Sequence, residues 1–167
     1  MKKKRILIVR SVSLQLLDRL LPEVFRIFGI DNEYILLSHS HAVERCKKYK
    51  GISNIIGYSE KGDFKFGKLP EDVKEGVFDI IIVPVSNFTG AGFLNVFYMA
   101  AKIKSKEIFM LNVKGELRRI RRSWIMKKRV FWVLYSSFSL FFTILFAPIY
   151  LLLLFFEFLL SKIIKQR

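Results

Sequence analysis

The chain has 167 residues, 29 Lys and Arg against 14 Asp and Glu, and a formal net charge of +15. That length suits one compact domain, and the positive excess suits phosphate-rich partners, either nucleic acid or anionic lipid. A single cysteine, Cys46, excludes an intramolecular disulfide framework and fits a reducing compartment.

The N-terminus, Met1 to Arg5, is basic like the start of a secretory signal, but the apolar run behind it (Ile6 to Val9) is short and Arg10 interrupts it. The expectation is a cytoplasmic start leading into a strand over 5–10 that is buried on both faces, as in a parallel sheet. Over 13–29 the apolar residues Leu14, Leu17, Leu20, Leu21, Val24, Phe25 and Phe28 recur at helical spacing. Ser13 is the expected N-cap and Gly29 the expected stop. Pro22 lies inside this helix and is expected to kink or divide it.

Residues 34–37 read as a second strand, 41–49 as a short helix, and 52–58 as a third strand. Residues 59–77, with Gly62, Gly67 and Pro70, read as a loop that holds a short helix. Phe78 to Pro84 is the clearest strand signal. A turn over 86–92, a helix over 93–104 and a strand over 108–111 follow. Strands alternating with helices predict an α/β domain built from βαβ units around a Rossmann-like parallel sheet.

The composition changes near residue 115. Residues 118–129 carry Arg118, Arg119, Arg121, Arg122, Lys127, Lys128 and Arg129, with Trp124 among them, and Val130 to Phe156 contain no charge. A bilayer core is ~30 Å thick and needs about 20 helical residues. A tilted span, a helix bent at Pro148 and a re-entrant hairpin all fit that run. The expected organisation is therefore an α/β domain over 1–115, a basic juxtamembrane segment over 116–129 and a membrane segment over 130–164. Basic residues flanking the apolar run place the α/β domain on the cytoplasmic side. Their position beside that run assigns them, with Trp124, to the membrane surface and anionic headgroups rather than to nucleic acid. Lys162, Lys165 and Arg167 follow the run, and Glu157, the acid within 118–167, is expected at the interface.

Ser86, Asn87, Thr89, Gly90 and Gly92 lie between a strand and a helix. N–H groups at such a turn bind phosphate, and glycine allows close approach, so these five form a candidate ligand turn. A tight structural turn explains the same residues, and the pattern is neither a Walker loop nor a dinucleotide fingerprint. Ser38-His39-Ser40-His41 places two histidines on one side of a strand, without a third ligand cluster. Basic neighbours surround Cys46, with no base marked to activate it. No metal and no cofactor is expected.

Read together, Arg10-Ser11-Val12-Ser13-Leu14, Pro22, Ile52 to Tyr58 and Phe78 to Ile82 resemble the N-terminal half of a heptosyltransferase-type glycosyltransferase. That family (GT-B class, glycosyltransferase family 9-like) has two Rossmann-like domains with the active site between them. The family's Gly-Asp pair, whose aspartate is its proposed base, falls on Gln15-Leu16. Leucine cannot accept a proton, and Asp18 lies roughly 200° further round a helix. The family's nucleotide-sugar domain has no counterpart here. The resemblance therefore implies a membrane-anchored accessory protein of bacterial envelope polysaccharide or glycolipid synthesis, at the inner membrane, without a catalytic residue carried over. A protein partner would supply the nucleotide-sugar domain. A transferase active alone or as half of a split enzyme, and a non-enzymatic membrane scaffold, are the alternatives.

Overall fold

A computed structural model describes residues 3–165, with side chains placed to Glu157. Met1, Lys2 and Arg167, on which parts of the signal-sequence and orientation readings rest, lie outside the described residues. The chain divides into two compact units, Met1–Lys127 and Lys128–Arg167.

The first unit is a six-stranded sheet: β1 (Arg5–Val9), β2 (Glu33–His39), β3 (Asn54–Tyr58), β4 (Val77–Pro84), β5 (Lys104–Leu111) and β6 (Leu117–Arg119). The order across the sheet is β3-β2-β1-β4-β5-β6. Every pairing is parallel except β5 with β6. β1 lies at the centre, with Ile6 opposite Tyr34 on one side and Ile80 on the other. Its four residues Ile6 to Val9 are fully buried, as a strand covered on both faces must be.

Alternate side chains divide the core into two layers. Ile6, Ile8, Leu36, Ile80 and Ile82 pack under Leu17, Leu20, Leu21 and Val24 of α1 (Leu14–Phe28). Cys46, at the end of α2 (Ser40–Cys46), closes that layer. On the opposite face Leu7, Val9, Ile35, Leu37, Ile81 and Val83 pack against Val73 of α3 (Glu71–Lys74) and Val96, Phe97, Met99 and Ala100 of α4 (Leu94–Lys102).

The Ser13 hydroxyl caps α1 by accepting from the Leu16 N–H at 3.3 Å, and Gly29, at φ 84°, ends it with its own N–H bonded to the Phe25 carbonyl. Pro22 does not divide α1, which runs unbroken. It removes one N–H on the exposed side, while the residues that face the sheet still fix the helix by burial. The helix read over 41–49 ends at Cys46, and β5 begins at Lys104 rather than Ile108. Lys104 to Glu107 carry three charges that hid the strand, yet they pair in register with Val77 to Ile80.

β6 was not visible in the sequence. Asn112 builds the turn into it: its Oδ1 accepts from the N–H groups of Lys114 and Glu116, both at 3.0 Å. Its Nδ2 donates to the Glu116 carboxylate at 2.7 Å. Residues 116–129 are thereby shared among the hairpin turn, β6, a connection with buried Ile120, and the start of α5 with buried Ile125.

The second unit is carried by α5 (Arg122–Lys165), a helix of 44 residues whose first turns belong to the first unit. At ~1.5 Å per residue it is about 66 Å long. Between Val130 and Phe156 its large apolar side chains are exposed. It is the one helix among the described residues long and apolar enough to cross a membrane. α5 continues through Pro148, so it contains no turn at which a hairpin reverses.

Candidate functional site

Parallel strands share a direction, so the loops leaving β1, β2, β3 and β4 gather at one edge of the sheet. From the central β1 the chain moves outward to β2, while its other neighbour, β4, leads the opposite way to β5. The loops after β1 and β4 therefore part at that point, which is where open α/β sheets form a ligand crevice. A cleft of about 210 Å³ lies there. It is walled by Arg10 and Ser11 after β1, His39 at the end of β2, Asp63 after β3, and Gly92 and Phe93 before α4.

The β1–α1 turn is pinned from both sides. The Arg10 N–H donates to the Leu37 carbonyl at 2.9 Å, and the Ser11 hydroxyl donates to the Pro84 carbonyl. The Arg10 guanidinium is aimed by its neighbours: Nε donates to the Ser38 hydroxyl at 2.8 Å, and Nη2 lies 3.3 Å from His39 Nδ1. A guanidinium has only donors, so His39 Nδ1 accepts. His39 Nε2 then carries the proton and donates to the Gly62 carbonyl at 2.8 Å.

That bond straps the loop after β3 over the cleft. The strap is reinforced by Phe64, whose ring centroid lies 4.4 Å from that of His39 and 4.8 Å from that of Tyr58. The Tyr58 hydroxyl donates to the Asp63 carbonyl at 3.2 Å and accepts from the Lys65 N–H at 3.0 Å. The Asp63 carboxylate accepts from Asn95 Nδ2 at 3.2 Å. The cleft thus offers a positioned cation, a hydroxyl, a carboxylate and a flat Phe93 wall. Such a set fits a polyhydroxylated anion better than an apolar ligand.

The predicted ligand turn serves mainly itself. Asn87 Oδ1 accepts from the Thr89 and Gly90 N–H groups at 3.2 and 2.6 Å, and its Nδ2 donates to the Ala91 carbonyl at 2.7 Å. The Thr89 hydroxyl accepts from the Ala91 N–H at 3.3 Å. Gly90 is buried at φ 73°, with no space for a Cβ beside Met110 and Phe97. Of the five residues only Gly92 reaches the cleft, and Ser86 is exposed outside it.

Asp18 also lies elsewhere. It pairs with Lys48 at 2.8 Å on the outer side of α1. Hydrogen bonds from Lys48 and Tyr49 hold its carboxyl below the usual value of 3.8. Burial pushes the Tyr49 phenol well above its ordinary range, and the Asp18 carboxylate adds to that rise. Burial likewise raises Tyr34, whose hydroxyl donates to the Gly29 carbonyl at 2.6 Å. Cys46 is fully buried with Sγ 3.7 Å from the Ser38 hydroxyl, so it is a core side chain. His39 and His41 face each other at 5.7 Å, and among the described residues no three metal-ligating side chains gather.

The basic residues near α5 divide by role. Arg119 pairs with Glu107 at 3.2 Å. Arg122 ties the start of α5 down, donating to the Ala101 and Ile103 carbonyls and to the Ser105 hydroxyl at 2.9–3.1 Å. Arg129 lies over the Trp132 ring at 5.5 Å. Arg118, Arg121, Lys127 and Lys128 are exposed, as is Trp124.

Arg10 was visible in the sequence as the end of a strand and the first residue of the motif that carries the family resemblance, and Asp63 only as a loop acid. Strand order brings them together, and no spacing along the chain encodes it. No family model, no curated protein and no solved structure matches this chain.

Proposed function

We propose that this chain is a membrane-anchored, glycosyltransferase-like accessory protein that presents half of a sugar-phosphate cleft at the cytoplasmic face of a bacterial inner membrane. The observation that carries the reading is the cleft beside Arg10 at the diverging loops of β1 and β4. It holds about 210 Å³, below the ~300–1,000 Å³ of pockets that enclose a drug-sized ligand. A phosphorylated monosaccharide fits this volume and a complete sugar nucleotide does not, so a partner domain would close the other half.

The strand order β3-β2-β1-β4-β5 supports the Rossmann-like comparison, as it is the order of the first strands of dinucleotide-binding sheets. The uncharged run of α5 supports a membrane anchor, since so long an apolar surface is stable in lipid and not in water. The basic residues before that run support the cytoplasmic orientation. Fold-level likeness raises this reading without fixing its chemistry.

The test is affinity purification from membranes in mild detergent, with mass spectrometry of what co-purifies. A stoichiometric protein with a sugar-nucleotide domain supports the split arrangement. Recovery of the chain alone sinks it. Asp63 favours a second reading, a self-contained transferase, because it supplies the cleft with a carboxylate that position 16 lacks. Turnover of a sugar nucleotide by the purified chain, lost in Asp63→Asn, would distinguish that case.

A further inference from the structure

A second cavity, of about 200 Å³, lies at the base of α5, walled by Thr89, Met110, Ile120, Trp124 and three arginines, Arg118, Arg119 and Arg121. We infer that it is a binding site for the phosphate headgroup of an anionic bilayer lipid. The inference rests on the membrane-anchor part of the proposed function and not on its sugar chemistry.

The wall has two kinds of surface. Arg118 and Arg121 supply guanidinium donors, and no carboxylate among the described residues pairs with either, whereas the adjacent Arg119 is held by Glu107. The Thr89 hydroxyl accepts from the Ala91 N–H, which leaves its proton to donate to a phosphate oxygen. No acid lines the cavity. Against this cationic side stand Met110, Ile120 and the Trp124 ring, an apolar floor matched to the glycerol and first methylenes of a lipid. A free phosphate ion uses only the first surface; a phospholipid uses both.

The cavity is also fixed in place. Arg118 sits opposite Met110 in the β5–β6 pair. Ile125 is buried one residue beyond Trp124, and Arg122 anchors the same turn to the end of α4. In the sequence the uncharged run begins at Val130, six residues after Trp124, and indole rings concentrate in the headgroup layer beside such runs. The loop over 86–93 gives Thr89 to this cavity and Gly92 and Phe93 to the cleft, so a lipid held here would lie beside the loop that shapes the cleft.

The experiment uses the full chain in detergent, in a Trp132→Phe background that leaves Trp124 as the remaining indole. Dioctanoyl phosphatidic acid is titrated and Trp124 emission is followed. A saturable shift is expected, weakened at least tenfold in R118Q/R121Q and unchanged in R10Q. R118K/R121K keeps both charges and serves as the folded control, with affinity expected between wild type and the glutamine pair. Inorganic phosphate at the same concentration is expected to leave emission unmoved. The inference is overturned if the glutamine pair binds like wild type or like the lysine pair, if R10Q abolishes binding, or if inorganic phosphate displaces the lipid at equal concentration. Failure of the anchor reading appears separately, as release of the chain by alkaline carbonate.

Discussion

Replacing Arg10 with glutamine removes the cation of the cleft while keeping much of the side chain's length. In the native chain the guanidinium donates to Ser38 at 2.8 Å and meets His39 at 3.3 Å. A hydrogen bond from a charged donor contributes ~1.5–3 kcal/mol. Loss of one such contact to an anion therefore weakens binding by roughly 10- to 150-fold, at ~1.4 kcal/mol per factor of ten. The cost to stability is smaller. Ser38 is fully buried, but its hydroxyl keeps the Cys46 thiol and the His39 carbonyl within reach, so about 1–2 kcal/mol is expected. The assay is isothermal titration of hexose 1-phosphate into the detergent-solubilised chain, with thermal melting alongside. Arg10→Lys, which keeps the charge and loses the fork, is expected to fall between the two. Wild-type affinity in a folded Arg10→Gln chain would refute the assignment of this cleft to an anion.

Four further outcomes follow from the same geometry. High salt and alkaline carbonate are expected to leave the chain in the membrane pellet and detergent to extract it, because exposed apolar side chains along α5, not surface charge, provide the attachment; a soluble fraction after carbonate would contradict this. The Asp18 carboxyl should titrate below 3.8 by NMR. Because its folded value is depressed, its pairing with Lys48 is complete above the unfolded value near 3.9 and fades as pH falls through the folded one, so Asp18→Asn should flatten that part of the acid melting curve. Gly90→Ala forces a side chain into left-handed backbone, with its Cβ 2.9 Å from Met110 Sδ and 3.0 Å from Phe97 Cε2, and thermal melting should show a loss of ~2–3 kcal/mol. Ile81→Ala empties a fully buried position between β1 and β5 and should cost ~2–5 kcal/mol in denaturant unfolding, whereas Ile81→Val should cost about 1.

Much of this protein is local in character and could be read along the chain. Ile6 to Val9 is apolar at every position, which only a strand covered on both faces tolerates, and the fold buries all four. Helical spacing from Leu14 to Phe28, with Ser13 and Gly29 at its ends, fixed α1 because caps and periodicity act within a few residues. The uncharged run from Val130 to Phe156 required a helix that keeps its backbone bonded within itself. Signals failed where distant partners decided the outcome. Lys104 to Glu107 extend β5 only because β4 offers a ladder beside them. Leu117 to Arg119 are a strand because Asn112 turns the chain back onto β5. Asn87 and Thr89 have the composition of a ligand turn, yet their polar atoms close the loop itself.

The sequence by itself determined an α/β domain, a basic junction and a long uncharged apolar run, since burial pattern, charge and length are properties of contiguous residues; that the run is one continuous helix and not a hairpin came from the structure. The tertiary structure alone decided where a ligand could sit. Arg10, His39 and Asp63 become neighbours because the sheet places β2 and β3 on one side of β1 and β4 on the other, gathering the loops at one edge. Arg118, Arg119 and Arg121 line a cavity with an apolar floor, Arg119 also paired with Glu107, while Arg122 is spent on the Ile103 carbonyl, because β6 and the first turn of α5 pack onto β5 and the end of α4. Residues of one type in one run thus acquired different roles, and only the folding of the chain around them could assign those roles.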